Sequence, residues 1–210
     1  MPVPEPGAFG PDASIAGLIP LSSHVSPCVV KTTGGDFLMV WRLDGLPFVG
    51  REEWELEHRH GTFNRLLQTL RAPDFVNVAF WVHDLRRRGA VEAQWRFGTR
   101  FNQALSDQYF DVLSSQRIMR NELYLTMLYR PVVVGKRLER SSALSLLQAQ
   151  QDQAVAKLLE LAGNVEAVLK DYAPVRLGLY ESDDGLVFSE TLEHFGFLLN
   201  RIDEPVPALA

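Results

Sequence analysis

Two groups of residues in this sequence carry side chains suited to nucleophilic or metal chemistry. His24 and Cys28 lie four residues apart ahead of a β-rich run, and a thiol beside an imidazole is the pairing that cysteine nucleophiles use. No oxyanion glycines and no orienting acid accompany them, so a small buried cysteine is the favoured interpretation. His58 and His60 lie two apart in a helical pattern and therefore point in different directions. The sequence predicts no catalytic residue and no metal ligand.

Only partial sequence motifs suggest a nucleotide-binding site or an acid–base pair. Gly135-Lys136 follows an apolar run, but a phosphate loop needs a glycine five residues earlier and a hydroxyl residue after the lysine. Arg130 and Arg137 occupy those places. Asp183-Asp184 precedes Gly185, a pattern typical of a turn rather than of an acid pair. The sequence therefore predicts no cofactor-binding residue.

Basic residues form the one cluster that suggests a binding surface. If the strand before Arg86 and the strand before Pro131 were parallel neighbours, their basic ends would meet at one edge of the sheet. The predicted patch, facing lipid headgroups or acidic partner segments, consists of Arg86, Arg87, Arg88, Lys136, Arg137 and Arg140. The alternative is a solvated loop with scattered ion pairs.

Composition places the chain among folded proteins. It has 210 residues, of which 46% are apolar and 22% charged, and a formal net charge of −5. The negative charge disfavours general nucleic-acid binding, and no specific nucleic-acid site is predicted. The single cysteine fits a reducing compartment. We find neither a signal-peptide pattern nor an uncharged apolar run of ~18 residues, which predicts a cytoplasmic location.

Hydrophobic periodicity predicts an α+β fold with a mixed, largely antiparallel sheet and helices packed on one face. We expect residues 1–18 to form a flexible arm, 19–203 a single domain and 204–210 a tail. The strand at 75–83 is apolar on both faces and is expected to be central. The predicted strands are 28–32, 37–43, 75–83, 122–129 and 175–180, with a short strand leading into a helix within 186–199. The predicted helices are 51–71, 94–116 and 141–172. The expected core comprises Val40, Phe80, Val82, Leu125, Leu128, Leu158 and Val165.

Several of these segments, in this order, resemble a known family. An IPxSxHV lead-in at residue 19 is followed by VVKTTGGDFLMVWRLDG, a helix containing FNRLLQTLR, the strand VNVAFWVHDLRRR, and NELYLTMLYRP. Order, spacing and content over about residues 17–134 resemble the amino-terminal domain of the VirB/TrbE/CagE family, the inner-membrane-associated ATPases of bacterial type IV secretion and conjugation. None of these motifs is catalytic, and the specificity lies in the series.

The resemblance implies a function in docking and assembly. Ser22, Ser23 and His24 would then lead the chain into the sheet. The ATPase motor of the family, which holds ATP and Mg, would lie in a carboxy-terminal part absent from this sequence, so this fragment would bind no cofactor and hydrolyse no ATP. Implied partners are the inner-membrane components of a type IV secretion complex, with self-association of the full-length protein and peripheral contact at the inner face of the inner membrane. The alternative is a self-contained, transferase-like small-molecule enzyme, which would need convergent polar groups on loops.

Overall fold

The computed structural model describes residues 19–45, 50–70, 72–89, 95–116, 118–131 and 143–208. The strands are β1 (Leu21–Ser26), β2 (Val29–Thr32), β3 (Phe37–Leu43), β4 (Val78–Arg88), β5 (Met119–Tyr129), β6 (Val175–Arg176), β7 (Leu179–Glu181) and β8 (Val187–Ser189). The α-helices are α1 (Glu53–Thr69), α2 (Arg100–Ser115), α3 (Ala143–Val168) and α4 (Glu190–Asn200). Single 3-10 turns lie at Pro73–Phe75 and Lys170–Tyr172.

A six-stranded antiparallel sheet organises the described part of the chain. Its order is β1-β2-β3-β5-β4, and β6 pairs with β3 beside β2. A separate two-stranded sheet joins β7 to β8. The predicted α+β class is confirmed, and all strand pairs in the described ranges are antiparallel.

The main core lies between β3 and two helices. β3 alternates Phe37, Met39 and Trp41 toward α3, whose Leu158 and Leu161 are fully buried against them; α1 contributes Leu66. This alternation follows from the two-residue period of a strand, which sends every second side chain to the same face.

A polar contact fixes the register of α3 against the sheet. The Trp41 Nε1–H donates to Glu166 Oε1 at 2.6 Å, and Arg176 of β6 donates to Glu166 Oε2 at 2.9 Å. Burial opposes the charged form of Glu166, but these hydrogen bonds outweigh it and lower its pKa. One carboxylate therefore links β3, β6 and α3.

The opposite face of the sheet is covered by α4. Its Phe197 packs against a second cluster that includes Val30, Leu38, Val40 and Tyr124. Ser189 caps the helix, accepting a hydrogen bond from the Leu192 N–H at 3.2 Å. Helices thus lie on both faces of the sheet. The predicted packing on one face is wrong, because α4 is too short for its residue pattern to indicate which face of the sheet it covers.

The predicted position of the 75–83 strand is wrong. This strand, β4, is the last in the order and pairs only with β5 among the described residues, so it is an edge strand. Val82, expected in the core, is 62% exposed, and Phe80 is only partly buried against the main core. Val40, Leu125, Leu158 and Val165 are buried as predicted, and Leu128 is partly buried. A run of apolar residues indicates side chains that favour burial, but it does not show that the same chain buries them.

Local signals elsewhere predicted the structure well. Gly35 takes φ 85° in the turn between β2 and β3, a conformation that disfavours a Cβ. Residues 182–185 form the turn between β7 and β8, with the Gly185 N–H donating to the Ser182 carbonyl oxygen at 2.9 Å. In the ranges that the structure describes, no helix is long and apolar enough to cross a membrane.

Candidate docking surface

The arginine run lies within β4 rather than after it. Strand alternation sends Arg86 and Arg88 to one face of the sheet and Arg87 to the other. Arg86 and Arg88 are exposed. Of the three predicted surface arginines, these two are available to a partner.

Arg87 instead stabilises the fold. Its Nε lies 2.9 Å from Glu122 Oε2 on β5, and its Nη1 contacts Asp203. The guanidinium carbon lies 3.6 Å from the ring centroid of Phe197, so the cation stacks on α4. Arg87 therefore ties α4 and the following segment to the sheet.

The two predicted basic clusters do not share an edge of the sheet through parallel strands. β4 and β5 are antiparallel, with Arg88 opposite Met119 and Val78 opposite Tyr129. The end of β5 therefore lies at the opposite end of the sheet from Arg88. Lys136, Arg137 and Arg140 lie outside the described residues, as does the Gly135-Lys136 fragment. Parallel pairing was wrong because side-chain pattern does not encode strand direction when helices separate the strands.

A buried histidine cluster, which the sequence analysis left without a role, joins α4 to the sheet. His83 Nδ1 of β4 lies 3.2 Å from His194 Nε2 of α4, and the rings of His194 and Tyr124 are 4.2 Å apart between centroids. His194 is 4% exposed, and its Nδ1 has no hydrogen-bond partner among the described residues. No sequence signal could have found this pair, since 111 residues separate the two histidines.

Burial sets the protonation of this cluster. It lowers the pKa of His194 to about 4, with further lowering from nearby His83 and Arg87, and it also lowers the pKa of His83. Burial and the hydrogen bond that the Tyr124 hydroxyl donates to Glu122 raise the pKa of Tyr124 to about 12. The histidines are therefore neutral at pH 7 and act as packing groups.

The remaining sequence candidates lie apart from one another. His24 is in β1, with its Nε2 2.9 Å from the Ser189 hydroxyl, while Cys28 is half-buried beside the main core. His58 and His60 are exposed on α1. Within the described ranges, no three His, Cys, Asp or Glu side chains come together in a way that could hold a metal ion.

A cleft beside α3 is a candidate for a small-molecule site. It encloses about 680 Å³ between α3 and the sheet end near Tyr129. Four of its polar side chains bind each other in pairs: the Lys31 ammonium donates to Gln151 at 3.0 Å, and Lys157 pairs with Glu160 at 3.1 Å. This arrangement gives the transferase-like alternative no support.

A further unexplained feature is an apolar surface on α2 and the residues just before it, which we call the α2 stripe. None of the residues of α2 is buried. The six residues of the stripe are exposed by 46–75%: Phe101, Leu105, Tyr109 and Val112 of α2, with Trp95 and Phe97 just before the helix. The helical residues of this row have the spacing of one helix face, but that spacing alone does not distinguish a face buried in a core from a face exposed on the surface. Thr99 caps the helix, accepting from the Asn102 N–H at 3.3 Å.

Comparison with known proteins gives a consistent result. Residues 28–136 match the family described as the N-terminal domain of the type IV secretion system ATPase VirB4/TrbE. The chain is 36% identical over 201 residues to the type IV secretion system protein virB4 of Brucella suis, covering 90% of this chain and 24% of that protein. It is 31% identical over 203 residues to the type IV secretion system protein PtlC of Bordetella pertussis, covering 93% and 24%. The chain thus spans about a quarter of the length of these curated relatives.

Proposed function

Because this chain belongs to the family of VirB4/TrbE N-terminal domains, we propose that it docks a type IV secretion ATPase onto the inner-membrane components of its secretion complex. Residues 19–203 form the docking domain of a longer protein, with ATP and Mg bound by a motor outside this sequence. The domain works at the cytoplasmic face of the bacterial inner membrane, and the full-length protein self-associates there.

The α2 stripe is the observation that carries this proposal. Large contiguous apolar patches are uncommon on monomeric proteins and mark interaction surfaces. Aromatic side chains supply much of the binding energy at protein interfaces, and four of the six residues of the stripe are aromatic. A domain with such a surface is suited to holding a partner.

Truncating the stripe tests the proposal. In the full-length protein, a triple variant carries Phe101→Ala, Leu105→Ala and Tyr109→Ala. These side chains are exposed, so we expect the free energy of unfolding to change by less than about 0.5 kcal/mol each. Recruitment to membranes containing the secretion complex should fall by about tenfold or more, as loss of interface anchors typically does.

The matched control truncates polar, exposed side chains of the same helix, Asn102→Ala with Gln108→Ala. It should co-sediment with these membranes as well as the parent protein does. If the folded triple variant also co-sediments like the parent, docking through the α2 stripe is refuted.

A further inference from the structure

The backbone of β4 presents an unpaired hydrogen-bonding edge. At its two ends the Arg130 N–H donates to the Asn77 carbonyl oxygen at 2.9 Å and the Gly89 N–H donates to the Ile118 carbonyl oxygen at 3.0 Å. In an antiparallel ladder, residues that exchange bonds with the partner strand alternate with residues that face away. The odd-numbered residues of β4 therefore face β5. The N–H and C=O groups of the even-numbered ones point outward: Val78, Phe80, Val82, Asp84, Arg86 and Arg88.

This edge is long and regular. Pairing with β5 runs from Val78 to Arg88 without a register shift, so no bulge turns the edge away. No proline interrupts the strand, and no backbone group of another described residue pairs with its outward side. Proteins normally shorten, bend or cover such edges because they accept further strands.

The side chains along the edge differ between its two halves. Near the middle, Trp81 is 47% and Val82 is 62% exposed, on opposite faces. Toward the end of the strand, Arg86 and Arg88 are exposed on the same face as Val82, with Asp84 between. The edge thus offers apolar contact first and a net positive charge after it.

We propose that this edge accepts a β-strand from a partner protein, an extended segment that is apolar opposite Val82 and acidic opposite Arg86 and Arg88. Main-chain hydrogen bonds would supply affinity, and alternate side chains would supply specificity. The inference rests on the proposed docking function and names the chemistry of one partner.

A second copy of this chain fits the edge less well. In the antiparallel register that places Asp84 of one copy opposite Arg86 of the other, both Arg88 side chains lie opposite Val82 and gain no carboxylate. On the face shared by Asp84, Arg86 and Arg88, each edge also carries one more positive than negative charge. A partner segment with two or more carboxylates removes this imbalance.

Two substitutions at one position separate strand addition from ordinary side-chain contact. Val82→Pro removes an outward N–H without removing a bond to β5, whereas Val82→Thr keeps the N–H and changes the same side chain. In the full-length protein we expect Val82→Pro to lower partner capture about tenfold or more and Val82→Thr to retain most of it. A second variant, Arg86→Glu with Arg88→Glu, leaves the backbone intact and should lower capture to a similar extent.

Carbodiimide cross-linking identifies the occupant. A variant with Arg86→Lys and Arg88→Lys keeps both charges and introduces amines that form amide bonds with nearby carboxylates. In membranes containing the secretion complex, it should cross-link to acidic residues of another protein, and Val82→Pro should abolish the link. Arg120→Lys, beside Glu122 on β5, controls for the reagent through an intrachain link.

The outcomes distinguish this inference from the docking function. Links to a second copy of this chain, or no intermolecular link, would overturn it. So would equal capture by parent, Val82→Pro and the double glutamate variant. If these variants bind normally while the α2 stripe variant does not, docking stands and strand addition fails.

Discussion

Lowering the pH should destabilise the fold through His194. Its pKa falls from 6.5 in the unfolded chain to about 4 in the folded protein, chiefly because it is buried against Tyr124 and His83. Between these values the unfolded chain binds the proton and the folded protein does not. The stability is therefore complete above pH 6.5 and is lost as the pH falls toward 4.

The size of the effect follows from linkage. Over the whole interval the loss is about 3 kcal/mol, of which roughly 2 kcal/mol falls between pH 7 and pH 5. His83, whose pKa burial also lowers, adds in the same direction. The ion-paired carboxylates Glu122 and Glu166 have lowered pKa values, so they weaken the fold only below about pH 4.5. The interval from pH 7 to pH 5 therefore isolates the histidines.

Urea denaturation at pH 7, 6 and 5, followed by the fluorescence of the buried Trp41, measures this change. His194→Gln should reduce the slope of the free energy of unfolding against pH by about the contribution of one proton. His60→Gln, which replaces an exposed histidine of α1, should leave it unchanged. A parent protein whose free energy of unfolding is equal at pH 7 and pH 5 would refute the reasoning, as would a His194→Gln variant with the full parental slope.

Three further predictions concern the edge strand and nucleotide binding. Phe80→Ala should lower the free energy of unfolding by about 2 kcal/mol because its side chain reaches the main core, while Val82→Ala should lower it by less than about 0.5 kcal/mol. Equal losses in urea denaturation would contradict this placement. Arg87→Ala should cost roughly 1–3 kcal/mol, since it leaves Glu122 short of a partner, whereas Arg88→Ala should be nearly neutral by the same measurement. If Arg88→Ala proved the more costly, the assignment of faces along β4 would be wrong. Calorimetric titration of this chain with ATP and Mg should give no heat of binding, and micromolar affinity would contradict the proposed division from the motor.

Local elements could be predicted from the sequence because their determinants are local. The β2–β3 hairpin depends on a glycine turn. α3 lies close to its predicted bounds, and Pro174 limits how far the helix can extend. β1 was missed as a strand: Leu21–Ser26 is mostly polar and owes its conformation to pairing with β2. Strand direction and the contact between His83 and His194 depend on residues far apart in the sequence, so no local pattern could reveal them.

Two exposed segments have the apolar pattern of buried elements. β4 was predicted to be central because it is apolar on both faces, and the residues of the α2 stripe recur at the spacing of one helix face. In the structure, Trp81 and Val82 of β4 and Phe101 and Leu105 of α2 are all exposed. A hydrophobic pattern indicates a surface that favours burial. The pattern is the same whether a partner in an assembly or the core of the domain buries that surface.

β4 and α2 are therefore considered together. α2 leads through residues 116–118 into β5, the strand that pairs with β4, so the α2 stripe and the open edge belong to one stretch of chain. Elsewhere, β3 is buried on both faces and α4 packs on the sheet. By contrast, β4 and α2, which follow one another in the chain, present an unpaired strand edge and an apolar helix face. A partner that supplies both an apolar surface and an acidic strand would meet both needs, which is why the α2 and β4 variants must be tested separately.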